Sequence, residues 1–521
     1  MKKELFAIFL LCISFYSQAQ ITFQKAYGGT SADECYSVQQ TADGGYIMLG
    51  NTDGFGAGIW LIYLIKTDAN GDTLWTKTIG GSGYDNGRSV QQTTDGGYII
   101  AGYGDSFGTG GFNIYLIKTD ATGNVLWSKT FGGGPYDIYT GSVQQTADGG
   151  YIVTGDFGSP NGDYDVYLIK TDANGDSLWT KTYGGVDDDD GYFVKQTNDG
   201  GYIITGETYS FGAGATDVYL IKTDSTGNLL WSKTFGGTDE EVGFSTQQTS
   251  DGGYIIAGYY GSVGGGGFQI YLLKTDANGG LVWSKTFSGG GVGFSVQQTM
   301  DGGYIISGFN GNSNASICLI KTDANGNLLW SKTFGGTNED WAGSVQQTAD
   351  GGYVITGYTR NFGSGGYCDI YLIKTDSSGN SGCNQGNLNT IATVPSTQVT
   401  TPPSIIGSPA DIVTSPSIPI GSGCIVTSLC TSVGIKEILS ENSFLISPNP
   451  SKGNLTISFT GIIVKGDVGI LNFLGENVYT EKIYNESKKE INLKNISSGI
   501  YFMKVFDGEK SYCKKLIIEH D

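Results

Sequence analysis

The chain has 521 residues, room for one large repeat array and one or two further modules. Its 50 acidic against 30 basic residues give a net charge of -20, which argues against nucleic acid as a partner, because the phosphates would be repelled. With one histidine, His520, and no C-x-x-C pair, little is left for a Cys/His metal centre or for histidine-based nucleophilic catalysis.

Residues 1–19 read as an export signal: Lys2 and Lys3, an apolar run from Leu5 to Ile13, and the small-x-small site Ser17-Gln18-Ala19. No other segment approaches membrane-spanning length. Export permits disulfides, and Cys35 and Cys368 fall at opposite ends of the array that follows, so one expectation is a disulfide latch between them, although spacing alone does not fix which cysteines pair.

From 20 to 376 a single unit recurs. It reads S-V-Q-Q-T-x-D-G-G-Y-I-I-x-G, a variable loop, Y-L-I-K-T-D-x-x-G-x-x-L-W-S-K-T-F-G-G and a second variable loop. Its D-G-G-Y anchors start at Asp43, Asp95, Asp148, Asp199, Asp251, Asp301 and Asp350, at steps of 52, 53, 51, 52, 50 and 49 residues. Within each unit apolar and polar residues alternate with the period of a strand, and turn signals divide it into four strands, A to D. Four short strands in roughly 50 residues make a propeller blade. The seventh unit lacks strand D, and Phe23-Gln24-Lys25-Ala26-Tyr27-Gly28-Gly29 aligns with it. The expected fold is therefore all-β: a seven-bladed β-propeller closed by an N-terminal strand, which leaves few open sheet edges.

The run Lys321 to Trp330, K-T-D-A-N-G-N-L-L-W, resembles the tryptophan-docking repeat of quinoprotein-type propellers and, more loosely, the Asp-box of sialidases. Both motifs are structural in those families, so the likeness implies the fold and no activity. The vicinal cysteines of the quinone enzymes are missing, and only Arg88 and Arg360 stand off the repeat where a sialidase would need three arginines.

In such a blade the A-B and C-D turns share one end and carry near-constant words, while the B-C loop and the D-to-A connection share the other and carry everything that differs. Residues 20–434 hold 17 basic and 38 acidic residues, and 21 of those acids fall on or beside the variable face. The candidate ligand-binding set is Asp187, Asp188, Asp189, Asp190, Tyr192, Asp239, Glu240, Glu241, Glu339, Asp340, Trp341, Tyr84 and Tyr136. Acids beside aromatics suit sugars, whose apolar faces stack on rings while carboxylates accept their hydroxyl hydrogens. No cofactor is called for. Ca²⁺ is the one metal that the Asp187–Asp190 run would suit, as a hard cation wanting several oxygens.

Residues 377–440 hold six of the ten prolines among many Ser, Thr and Gly and read as an extended linker. From 441 to 521 short alternating strands return as a small C-terminal β-sandwich with P-N-P-x-x-G at Pro448, Asn449, Pro450 and Gly453, Gly475 in G-x-x-V-Y, Gly499 and Tyr501 in S-G-I-Y, and a basic ending at Lys514 and Lys515. This segment resembles the type A C-terminal sorting domain of type IX secretion. The resemblance implies Sec export, the type IX machinery as a partner, and a secreted or outer-membrane-surface location. The function expected is a non-catalytic binding or adhesion propeller for a glycan or surface ligand. The alternatives are a glycan-active carboxylate-pair hydrolase on the same face, or a purely structural surface protein.

Overall fold

The computed structural model describes residues 20–519 apart from 56–58, 109–110, 133–139, 159–161, 262–266, 290, 312–314, 364–366, 389, 403–405, 408–411, 415–419, 422–424, 432–443, 473–476 and 507–510. The expected export signal, Tyr136 and Gly475 lie outside the described residues. Two compact units divide the chain, Met1–Ser432 and Val433–Asp521.

The first unit is a seven-bladed β-propeller. Blade 1 sets the pattern with strand A at Asp33–Gln40, B at Tyr46–Thr52, C at Leu61–Thr67 and D at Thr73–Ile79, each antiparallel to the next. Strands B and C are apolar on both faces because each face meets a different neighbouring blade. Ile47, Leu49, Ile62 and Leu64 of blade 1 accordingly share one core with Val90, Tyr98, Ile100 and Tyr115 of blade 2. Blade 7 takes its strand D from Phe23–Gly28, which runs antiparallel to strand C at Asp369–Thr375.

The repeat's constant words hold neighbouring blades together. Trp75 of strand D packs over Gly123 in the C-D turn of the next blade and meets Tyr98 edge to face at 5.9 Å. Gly123 has φ +79, and an added Cβ would lie 2.7 Å from the indole, so both backbone and packing require glycine. The lysine of K-T-D is buried and pairs with the D-G-G aspartate of its own blade, as Lys66 does with Asp43 at 2.8 Å. Equivalent pairs occur in all seven blades.

The segment expected to be a linker is extended, but it is not free. After blade 7 the chain runs backwards round the ring and lays a short fifth strand against strand D of each blade. Gln385–Asn387 pairs with blade 6, Ala392–Thr393 with blade 5, Gln398–Thr400 with blade 4, and Ile406–Gly407 with blade 3. Ile412–Thr414 then joins blade 2, Ile420–Gly421 blade 1, and Ile425–Thr431 the N-terminal strand in blade 7. Proline and glycine between these short strands suit a chain that must pair briefly and move on. The belt covers seven otherwise open strand edges.

The closure differs from expectation in its cysteines. Cys35, Cys318 and Cys368 are free and buried, while Cys383 is disulfide-bonded. The Cys35 thiol is turned toward the Leu49 carbonyl, 3.2 Å away, and the seam is held instead by Asp33 N–H donating to the Cys368 carbonyl at 2.7 Å. Gln24, fully buried, is the other clasp. Its amide donates to Ser381 Oγ at 2.7 Å and to the Cys383 carbonyl, and it accepts from the Tyr371 hydroxyl.

The second unit is a connected antiparallel sheet of Phe444–Ser447, Asn454–Leu471, Asn477–Asn492, Gly499–Phe506 and Ser511–Ile518. The register of its longest strand breaks between Ser458 and Ile463, and residues from both halves, Leu455 and Ile457 with Val468 and Ile470, share one core. The sheet therefore folds onto itself. Among the described residues no helix is long and apolar enough to cross a membrane.

Candidate functional site

Strand A of every blade faces the central channel, and near its start each one carries a β-bulge. In blade 1, Cys35 pairs with Gly50 and Ser37 with Leu49, leaving Tyr36 unpaired between them. A bulge re-aims its extra residue, and here the space for it is provided by the glycine that ends G-Y-I-I-x-G: a Cβ on Gly50 would lie 1.7 Å from the Glu34 carbonyl. The bulged residues of blades 1 to 6 are Tyr36, Arg88, Gly141, Tyr192, Phe244 and Phe294. In blade 7 the break in register spans Gly343 and Ser344.

Together they form a cup of 550 Å³ at the channel mouth on the variable face, lined also by Glu34, Tyr103, Asp156, Trp341 and Tyr358. Rings follow one another round the wall: Tyr192 to Phe244 at 5.2 Å, Phe244 to Phe294 at 5.3 Å, Phe294 to Trp341 at 6.3 Å, and Trp341 to Tyr358 at 6.2 Å. The last pair is nearly parallel, at 12°. Across the cup, Arg88 lies over the Tyr36 ring at 4.4 Å and donates to the Tyr103 hydroxyl at 3.0 Å. Blade 3 offers only Gly141, so the wall is open there.

Beside that gap three carboxyls, Asp156, Asp190 and Glu207, lie near enough to influence one another's ionisation. Asp156 accepts from Gly191 N–H at 2.8 Å, and Glu207 accepts from the Tyr192 hydroxyl. Burial and then the neighbouring Asp190 hold Asp156 well above the usual carboxylate range. Burial, then Glu207, push Asp190 up to about 7, and burial raises Glu207 as well. At neutral pH such a group can exchange protons and donate as well as accept hydrogen bonds.

The residues expected from the sequence divide three ways. Tyr192 and Trp341 line the cup, with Asp190 cross-strand from Glu207 beside it. Asp187 and Asp188 line a separate, more open groove of 440 Å³ with Asp163 and Tyr209, while Asp239, Glu240 and Glu339 stand at the blade rims and Tyr84 is exposed there, outside the cup. Asp189, Glu241 and Asp340 are not surface ligands. All three are fully buried and cap the turn after strand D, as Asp189 accepts from Gly185 N–H at 2.7 Å, Glu241 from Gly237 at 2.6 Å and Asp340 from Gly336 at 3.0 Å. The Asp187–Asp190 run thus sends its carboxyls in different directions. Among the described residues no three His, Cys, Asp or Glu gather where a metal ion could be held.

Sequence reasoning missed Phe294, Tyr103, Tyr358, Asp156 and Glu207 as site residues. The signal for them was present. They occupy two columns of the repeat, the residue before S-V-Q-Q and the residue after the strand-B glycine, where the copies vary inside otherwise constant strands.

In the second unit the motif residues act on the fold. The Asn449 amide bridges the last strand, donating to the Lys515 carbonyl and accepting from Ile517 N–H, both at 2.8 Å. Pro448 and Pro450 flank it with cis peptide bonds, and Gly453 has φ +94. The Tyr501 hydroxyl donates to the Ser497 carbonyl at 2.9 Å, and Lys514 lies over the Phe444 ring.

Residues 445–519 match the model of the secretion system C-terminal sorting domain. A search of curated proteins gave no match. Among solved structures, a protein of unknown function from Bacteroides caccae is 13% identical over 59% of this chain and 93% of its own, with a TM-score of 0.32. One from Dyadobacter fermentans DSM 18053 is 12% identical over 68% of this chain and 99% of its own, with a TM-score of 0.40. Sqt1 from Chaetomium thermophilum is 12% identical over 68% and 90%, at 0.38.

Proposed function

For a protein that carries a type IX sorting domain and is therefore exported to the cell surface or the medium, we propose that the propeller is a non-catalytic binding module that holds a glycan in the channel-mouth cup. The observation that carries this is the unbroken run of rings from Tyr192 to Tyr358. Stacked rings take the apolar face of a pyranose, and the facing Glu34, Arg88 and Asp156 meet its hydroxyls. A glycan array probed with the wild-type protein, Trp341→Ala and Phe294→Ala tests it. Binding by wild type that weakens roughly tenfold or more in each variant is expected; wild type bound to no glycan overturns it.

The carboxyl trio supports a second reading, a glycan-active hydrolase. A carboxyl that still holds its proton near neutral pH, with a second carboxyl next to it, is the equipment of acid-assisted glycoside cleavage. Product release from a polysaccharide that is abolished in Glu207→Gln or Asp190→Asn would favour it over simple binding.

A further inference from the structure

Deeper in the channel the scaffold itself changes in one blade. The first Gln of each S-V-Q-Q accepts a hydrogen bond from a backbone N–H of the next blade's strand A: Gln92 N–H donates to Gln39 Oε1 at 2.6 Å. Gln91, Gln144, Gln247, Gln297 and Gln346 accept in the same way, at 2.6 to 2.7 Å. Each oxygen is thereby committed to the wall, which fixes the amide orientation and leaves its NH₂ for the channel.

Blade 4 departs from this. Its word is Phe193-Val194-Lys195-Gln196, so at Gln248 the side-chain bond made by the other six blades has no counterpart. A lysine here forgoes a structural hydrogen bond that the repeat's own glutamine would supply, the kind of local rule-breaking that marks functional positions. The cavity at this level measures 190 Å³, and Lys195 is the one charged side chain on its wall among the described residues. In a chain of net charge -20, no carboxylate lines this level of the channel among the described residues. It shares Ser37, Ser89, Phe193, Ser245, Ser295 and Ser344 with the cup above, so a ligand can enter through the mouth.

We propose that the channel at the level of Gln39 and Lys195 is an oxyanion site, in which six glutamine NH₂ groups and one ammonium surround a phosphate, sulfate or carboxylate group. Donors alone face the ligand, as anion recognition requires, and the lysine supplies the charge-assisted contact. Burial lowers the lysine's pKa, and a bound anion would restore its preference for the charged form. The site does not depend on the cup binding a glycan.

The test is calorimetric titration of the full exported protein with inorganic phosphate and, in a second arm, with glucuronic acid. Lys195→Gln installs the residue of the other six blades and should fold at least as well as wild type; Lys195→Arg keeps the charge. Saturable binding of either probe that is roughly tenfold or more weaker in Lys195→Gln and retained in Lys195→Arg supports the site. Binding of phosphate alone identifies a free-ion site, and binding of glucuronic acid alone identifies a sugar-borne anion. No saturable binding of either probe to wild type, or equal binding by Lys195→Gln, overturns the proposal.

Discussion

The ring of Phe23 lies 2.7 Å from where a Cβ on Gly71 would sit, repeating at the closure the contact that Trp75 makes with Gly123. Phe23 and Tyr46 also meet edge to face at 6.1 Å, as Trp75 and Tyr98 do. The closing strand therefore enters the ring as a seventh copy of the inter-blade contact, with phenylalanine in place of tryptophan. Phe23→Ala should lower stability by about 3 to 5 kcal/mol, the range for truncating a buried Phe. Phe23→Trp, which restores the repeat residue, should lose far less. Thermal unfolding of both variants checks this, and equal losses would count against the docking role.

Removal of residues 377–431 should leave blades that still fold but present seven strand-D edges. Bare edges invite strand addition from other chains. Light scattering after size-exclusion chromatography should show the trimmed propeller associating at concentrations where the full unit is monodisperse.

Acidity acts on this fold with two signs. Asp33 and Asp165 are pushed up to about 6 and Glu241 to about 7, burial first. In the unfolded chain such groups titrate near 4. As the pH falls from 8 through 6 the folded state takes up protons before the unfolded one, so stability rises, and the gain is complete near pH 4. Asp43, Asp95 and Asp148 behave oppositely: partial burial opposes ionisation, but hydrogen bonds from Lys66, Lys118 and Lys170 and from neighbouring threonines hold them at about 2. Their contribution is lost as the pH falls from about 4 to 2. Calorimetric melting should show its maximum near pH 4 to 5, with lower Tm at pH 8 and at pH 2.5. Glu241→Gln should flatten the neutral side.

The cysteines make a separate prediction. Burial pushes the thiols of Cys35 and Cys368 up to about 12 and about 11, and only a thiolate reacts readily. Neither should be alkylated in the native protein at pH 8, and both should be alkylated after unfolding without reductant. Peptide mapping distinguishes this from a bond between them.

The ring was legible because its evidence is multiplied by seven. Each D-G-G turn, each K-T-D lysine and each strand-D Trp recurs in register, and even the displaced strand at Phe23 keeps the repeat's pattern. The belt was not legible, since strands of two or three residues such as Ala392–Thr393 have no periodicity to read and exist only because an edge waits for them. The candidate site was half legible. Acid runs drew attention to Asp189 and Glu241, yet the first strand position points inward and caps a turn. Tyr36 and Phe294, which bulges turn into the channel, look like ordinary alternation until their columns are compared.

The order in which the ring is sealed bears on which chains reach the outside. Phe23–Gly28 lies between Asp369–Thr375 on one side and Ile425–Thr431 on the other, so the earliest strand among the described residues needs two late segments of the propeller unit, the last blade strand and the last belt strand, to be enclosed. The matched sorting segment, 445–519, begins only after that final strand in sequence. A nascent chain that stops early thus forfeits its address along with its seal, and a chain that can be dispatched has already been given everything needed to shut.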